Sequence, residues 1–353
     1  MSEGSKATPF VPQRRRLNPG ALRLLKAFPW LRFLVYEEFI ISCAITREIF
    51  NIGEATYISH LSRDLFGHSA IEFVADPFVT LKDGVFYVFF EAMNLKKGRG
   101  EIAVAESRDF LHWKLTGTAL SEKWHLSYPQ VFWHGGACYL VPESGEQKAV
   151  SLYRAAEFPL GWEKVADLVE GREYLDSSLF FDGEWTMISY PKRSDEVCVF
   201  RSPALEHGWS QVARWSKGDS ADVLRPAGRI FNVAGRWYRP VQRSAEFYGQ
   251  DLWLKRLELT GPDVASEQLA LGVRQPLLGP AGTGWNSACM HHLDFVRHGG
   301  DCYVVTDGAS LVLDLSPVRL LYRLRYQVRK RAAPLLGKAR RLVLPRTPGR
   351  SRA

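Results

Sequence analysis

The chain has 353 residues, 46% of them hydrophobic, enough for one large domain with its own core. Its formal net charge of +8 is uneven: residues 1–32 hold seven Lys/Arg and one acid, residues 315–353 hold twelve Lys/Arg and no acid, and the stretch between them is acidic by about ten charges. No stretch has the ~18 uncharged apolar residues of a membrane-spanning helix. Five cysteines (Cys43, Cys138, Cys198, Cys289 and Cys302) have neither disulfide-framework nor zinc-site spacing, so reduced thiols in a cytoplasmic protein are expected.

Residues 1–36 read as a basic, partly helical extension. The first twenty are expected to lack structure, and ALRLLKAFPWLRFL predicts a short helix ended by Pro29. The apolar run LRFLVYEEFIISCAI is broken by Glu37 and Glu38 and has no small-residue cleavage site, which argues against a signal peptide. EEFIISCAI instead has the composition of a strand.

Residues 37–314 are organised by a repeat. ADPFVTLKDGVFYVFFE reads as a β-hairpin with a tight turn at Gly84. Four more copies follow, with turn glycines at 136, 183, 235 and 300, so that successive turns lie 52, 47, 52 and 65 residues apart. A period near 50 with several short strands per copy predicts an all-β fold, a five-bladed β-propeller. A third strand closing on a tryptophan (Trp113, Trp162, Trp209) follows the first three copies, and these tryptophans are expected in the core, away from the axis. The last blade is short of outer strands: SLVLDLS is one candidate, and EEFIISCAI could complete it from the other end of the chain, protecting an edge.

The register predicts a site. In an up-and-down blade the first strand starts, and the second ends, on one rim. That rim should carry Asp76, Tyr128, Asp176, Arg225 and His292 from the first strands. Glu91, Glu143, Tyr190, Gln242 and Asp307, each seven residues past its turn glycine, come from the second strands. Ten mostly polar side chains around one funnel suit a small polar ligand. His125 and the group His291, His292 and Asp294 are further candidates for binding sugar hydroxyls, phosphate or a metal. Adjacent histidines in a strand should face opposite ways, leaving one of the pair in the funnel. Arg225, Arg239 and Arg243 suit an anionic group; Tyr128, Tyr190 and Tyr248 suit stacking on a sugar ring. There is no P-loop, no Gly-x-Gly-x-x-Gly between strand and helix, and no compact Asp-x-Asp. Rossmann-type nucleotide binding and a metal-dependent transferase centre are therefore not expected, and no cofactor and no metal ligand are assigned. The basic charge lacks a nucleic-acid module around it.

Residues 315–353 begin at a cap signal, Ser316-Pro317, and place Leu, Tyr and Val at helical spacing between Arg and Lys. Such a basic amphipathic helix could anchor on anionic lipid at the inner face of the membrane, pack on the acidic body, or be a solvated tail.

The motifs ADPF with FFE, HLSYPxVF with PES, LYRAAEFPxxW, RPAG…RPVQ…YG and HHLD…DG, spread over residues 37–310, together resemble the N-terminal domain of glucosamine inositolphosphorylceramide transferases and their bacterial relatives. That domain is similar to the arabinanase/levansucrase/invertase-like propellers. The resemblance implies a role in glycan or glycolipid assembly, and the hydrolase-like carboxylates carry over as Asp76 (before Pro77) for the base or nucleophile, Asp176 for the second Asp, and Glu143 or Glu91 for the acid. Tyr128 stands before Pro129 where an Asp might be expected. Three readings stay open: glycosyl transfer, glycoside hydrolysis, and a non-catalytic glycan-binding or scaffold module serving a partner glycosyltransferase.

Overall fold

The computed structural model describes residues 15–17, 27–28, 34–67, 70–216, 223–244, 248–260, 263–269, 276–314, 316–317 and 319–328. Five antiparallel sheets make up the fold, one for each copy of the hairpin, and it is the five-bladed propeller that the repeat predicts. The first blade runs Ile71–Lys82, Val85–Asn94, Arg99–Ser107, Lys114–Leu120, and the second Ser127–His134, Ala137–Glu143, Ala149–Glu157, Gly161–Glu170. The third runs Tyr174–Phe181, Trp185–Pro191, Glu196–Ser202, Ser210–Ser216. In the fourth, the inner strand is split into Val223–Pro226 and Phe231–Val233, followed by Arg236–Arg243, Asp251–Thr260 and Asp263–Leu269. The helix predicted in residues 21–34 lies almost wholly outside the described residues.

The founding hairpin forms as its sequence dictates. Lys82 pairs with Val85 across a two-residue turn in which Asp83 and Gly84 both have positive φ (51° and 75°), the geometry that matches strand twist. Apolar clusters then fill the seams between neighbouring blades. Phe78, Phe89 and Val104 of the first blade, for example, meet Tyr128, Leu140 and Tyr153 of the second. Trp113 and Trp209, from the connections to the outer strands, and Trp162, from the outer strand itself, pack partly buried onto three such clusters rather than within them.

Both ends of the described chain build the fifth blade. Cys289–His298 and Asp301–Leu313 form its hairpin, and Val35–Thr46 pairs with the second of these in unbroken register from Val35↔Leu313 to Thr46↔Cys302. The reading of EEFIISCAI as the closing strand therefore holds. SLVLDLS, in contrast, is no separate outer strand: its Ser310–Leu313 prolongs the second strand, because no turn interrupts the chain after Asp307. Gly308 permits this passage, since a Cβ there would sit 2.6 Å from Trp285 Cζ3 and 2.7 Å from Asn286 Cβ. Within the N-terminal stretch expected to lack structure, Arg15–Arg16 forms a short strand on Leu313 and Val312. All five cysteines are buried and free.

Candidate functional site

Every inner strand carries an extra residue near the same rim, and the first carries a second one between Ile71 and Val74. In the first three blades Ala75↔Glu91 is followed by Phe78↔Phe89, Ser127↔Glu143 by Gln130↔Val141, and Leu175↔Tyr190 by Ser178↔Ile188. The residue pushed out is Asp76, Tyr128 or Asp176, and each has a left-handed φ (54°, 46° and 48°). Side chains larger than Gly, Asn or Asp seldom adopt this conformation, and bulges of this kind re-aim side chains beside functional sites.

The bulge in the fifth blade falls between Cys289↔Ala309 and His292↔Asp307. It breaks the alternation on which the sequence reading relied, and the expectation that only one histidine faces the funnel is corrected. His291 Nε2 and His292 Nδ1 both lie 3.8 Å from Asp76 Oδ1. The two histidines differ in state. His291 Nδ1 is 2.7 Å from Asp307 Oδ1. Burial pulls its pKa down, but the charges of Asp307 and Asp76 outweigh that and hold it up at about 9, so the ring is a cation at neutral pH. His292 is held down to about 3 by burial and is neutral, and neither ring nitrogen is hydrogen-bonded to a side chain among the described residues; the Pro77 backbone only weakly opposes this.

Around Asp76 the mouth is crowded with carboxyls. Asp307 Oδ2 accepts the Asp76 N–H at 2.8 Å, and Asp76 Oδ2 accepts the Tyr128 N–H at 3.3 Å, so three blades are joined through two carboxylates. Burial first, then the charges of Asp307 and Asp176, push Asp76 up to about 7 against the opposing pull of His291. Glu143, which accepts a hydrogen bond from Ser127 Oγ at 3.0 Å, is pushed up to about 8 by burial and by Asp176. Glu91 is raised well above the ordinary carboxylate range by burial and its acidic neighbours, and its Oε1 has no hydrogen-bond partner among the described residues. Gly100 N–H donates to His125 Nδ1 at 2.9 Å, which puts any proton of the neutral ring on Nε2, 3.6 Å from Glu91 Oε1.

Arg225 answers this acidity from the fourth blade. Its Nε and Nη2 both donate to the buried Asp176, Nη2 stands 3.9 Å from Glu143 Oε2, and its guanidinium lies over the exposed ring of Tyr248, 5.2 Å from the centroid. Tyr248 in turn meets the edge of His291 at 5.4 Å. Asp76, His291 and Asp307 offer ligand atoms within 4.8 Å of one another and could hold a cation, a grouping that the sequence reading did not anticipate.

The remaining sequence candidates lie elsewhere. Tyr128 turns down the axis, where its hydroxyl is 2.7 Å from Ser178 Oγ and accepts the Gly228 N–H at 2.8 Å. Tyr190 donates to the carbonyl of Ser194 in its own blade (2.7 Å), and Gln242 donates to Pro226 (3.2 Å). Arg239 is fully buried, opposite Lys255. Arg243 is tied to Asp251. Asp294 is wholly buried below the mouth, where it accepts Val79 N–H at 2.8 Å and holds Arg229 through Nε at 2.8 Å and Nη2 at 3.0 Å. Arg229 was missed, although it follows Arg225 by four residues in the same RPAGR run.

Fold and mouth together define a class: a five-bladed propeller whose axial funnel is lined by carboxyls, an arginine and a histidine. Two solved structures of this fold are the catalytic domain of a GH62 α-L-arabinofuranosidase from Coprinopsis cinerea (13% identity, TM-score 0.51, covering 68% of this chain and 91% of that one) and the α-L-arabinofuranosidase PaAbf62A from Podospora anserina (14%, 0.51, 69% and 92%). At such identities the likeness is one of fold. Residues 62–309 match the family model described as glucosamine inositolphosphorylceramide transferase 1, N-terminal, and the chain belongs to that family. It is 34% identical over 236 residues to glucosamine inositolphosphorylceramide transferase 1 of Oryza sativa subsp. japonica and 30% identical over 233 residues to that of Arabidopsis thaliana. Each match covers 63% of this chain but only 31% and 30% of those proteins.

Proposed function

We propose that the funnel mouth is a catalytic site for glycosyl transfer on the sugar headgroup of a glycolipid. The reading rests above all on the convergence of buried carboxyls from four blades beside Arg225, two of them with pKa values brought near neutrality. Glu143, protonated at neutral pH, can give its proton to the leaving oxygen. Asp76 in its ionised form can take the proton of the attacking hydroxyl, and Asp176 holds Arg225 in place. The relatives' name supplies the substrate class, and the hydrogen-bonding carboxyls at the mouth suit the hydroxyls and the amino group of an amino sugar such as glucosamine.

A second reading has its own support. Arg225 is a fixed cation within the mouth, and the matched relatives are about three times as long as the shared segment. Both facts suit a module that binds a sugar phosphate for a partner transferase.

The test is to incubate the full chain with nucleotide-linked and polyprenyl-linked amino-sugar donors and, separately, with aryl glycosides. Transfer should be seen with the first two, and Asp76→Asn or Glu143→Gln should each lower turnover about 10³-fold. Calorimetric affinity for the ligand should change little. Hydrolysis of aryl glycosides alone would replace transfer by hydrolysis. Binding without turnover, abolished by Arg225→Ala, would replace catalysis by the binding module.

A further inference from the structure

The C-terminal helix is docked through arginines. Along residues 319–328, Arg319 and Arg323 point inward: Arg319 Nη1 donates to the Ile71 carbonyl at 3.0 Å, and Arg323 Nε donates to Glu72 Oε1 at 2.6 Å. The Arg323 guanidinium also covers the Tyr36 ring, 4.1 Å from its centroid. Leu321, Leu324 and Val328, one stripe at helical spacing, face solvent with 46%, 48% and 58% exposure. Leu320, Tyr322 and Tyr326 are half-buried and Arg325 is exposed, so the helix keeps an apolar stripe in solvent that packing on its own protein would cover.

Its place matters as much as its orientation. Ile71 and Glu72 open the inner strand that delivers Asp76, and Tyr326 Cδ2 lies 3.6 Å from where a Cβ on Gly98 would sit, in the turn after the strand that carries Glu91. The outward stripe therefore stands on the rim around the funnel mouth. Beyond it, residues 329–353 hold nine Lys/Arg and no acid.

We infer that the funnel mouth rests against an anionic lipid surface, gripped by the Leu321–Leu324–Val328 stripe and by the basic residues that follow it. Charge decides the occupant. Self-association through this stripe would bring two strongly basic segments together, whereas a bilayer containing acidic lipids satisfies the apolar and the cationic features at once. A sugar headgroup in that surface would meet the mouth without leaving the membrane plane. The surface stands apart from the bond chemistry proposed above, and its readouts involve no turnover, so either proposal can fail alone.

The test is co-sedimentation of the full chain with phosphatidylcholine vesicles and with phosphatidylcholine–phosphatidylglycerol vesicles. Binding should require phosphatidylglycerol, and Leu321→Asn combined with Leu324→Asn should weaken it about tenfold or more with an unchanged circular dichroism spectrum. Because the native cysteines are all buried, a polarity-sensitive thiol dye can report orientation. Attached at Lys96→Cys, in the turn beside the helix, the dye should shift to the blue on the vesicles. Attached at Glu206→Cys, on the opposite rim, it should not. Unchanged binding by the double variant, a shift at the Glu206 site instead, or a dimer in light scattering that the double variant dissolves would each overturn the inference.

Discussion

The mouth and the throat of the funnel use the same strands in opposite ways. At the mouth, Asp76, Glu91, Glu143, Asp176 and Asp307 crowd around Arg225 and His291, and an oxygen of Glu91 has no hydrogen bond among the described residues. A few residues further down, Tyr128 crosses the axis to Ser178 and Gly228, packs against Phe78 (4.9 Å between centroids) and His292 (5.2 Å), and closes the channel. Below that plug Asp294 and Arg229 neutralise each other. Satisfied polar groups hold the ring together, while under-satisfied ones at the mouth store the tendency to bind and to exchange protons. Asp76 and Tyr128 occupy equivalent bulges in adjacent blades, yet one serves each end. The difference is reach: a phenol spans to the far side of the axis, and a short carboxyl does not.

Removing a throat group should therefore cost stability, and removing a mouth carboxyl on which no bidentate ion pair or backbone N–H depends, such as Glu143, should not. The largest loss is expected from Asp294→Ala, which strands the Arg229 charge and the buried Val79 N–H. Urea unfolding should show about 3 kcal/mol or more of destabilisation. Tyr128→Phe keeps the ring packing but deprives the Gly228 N–H and Ser178 of their partner, and about 1–3 kcal/mol should be lost in the same assay. A loss within experimental error in either variant would break the division between the two regions.

The mouth predicts a smaller effect of the opposite sign. Asp76 and Glu143 titrate at about 7 and about 8, above their values in an unfolded chain, so the folded protein binds more protons between roughly pH 4 and 8 and is destabilised as pH rises through that range. His291 acts in the same direction: its contribution is complete below its unfolded value of 6.5 and is lost as pH passes about 9. Glu143→Gln removes one of these protons. Relative to the unaltered chain it should be spared a loss of about 1 kcal/mol for each pH unit crossed between pH 5 and pH 8, read as the pH dependence of the urea midpoint. A parallel pH profile for the two proteins would contradict the assignment of a proton to Glu143 at neutral pH.

Much of this molecule is written locally. Five copies of alternating apolar residues around a turn glycine specify five hairpins, and the fixed step of seven residues from the turn to Glu91, Glu143 and Asp307 places those acids on one rim, because strand alternation and hairpin register are short-range properties. The closing strand could be anticipated from its composition and from the last blade's shortage of partners. What the tertiary structure alone decided is where parity fails and what meets across the axis. The extra residue near the rim brings both His291 and His292 to Asp76, and ring closure sets Tyr128 against Gly228 a hundred residues away. The docking of Arg319 and Arg323 on Glu72 turns Leu321 and Leu324 outward. A bulge shifts alternation without leaving a mark in the hydrophobic pattern, and a contact between blades depends on the closed ring, so neither can be read from any single stretch of the chain.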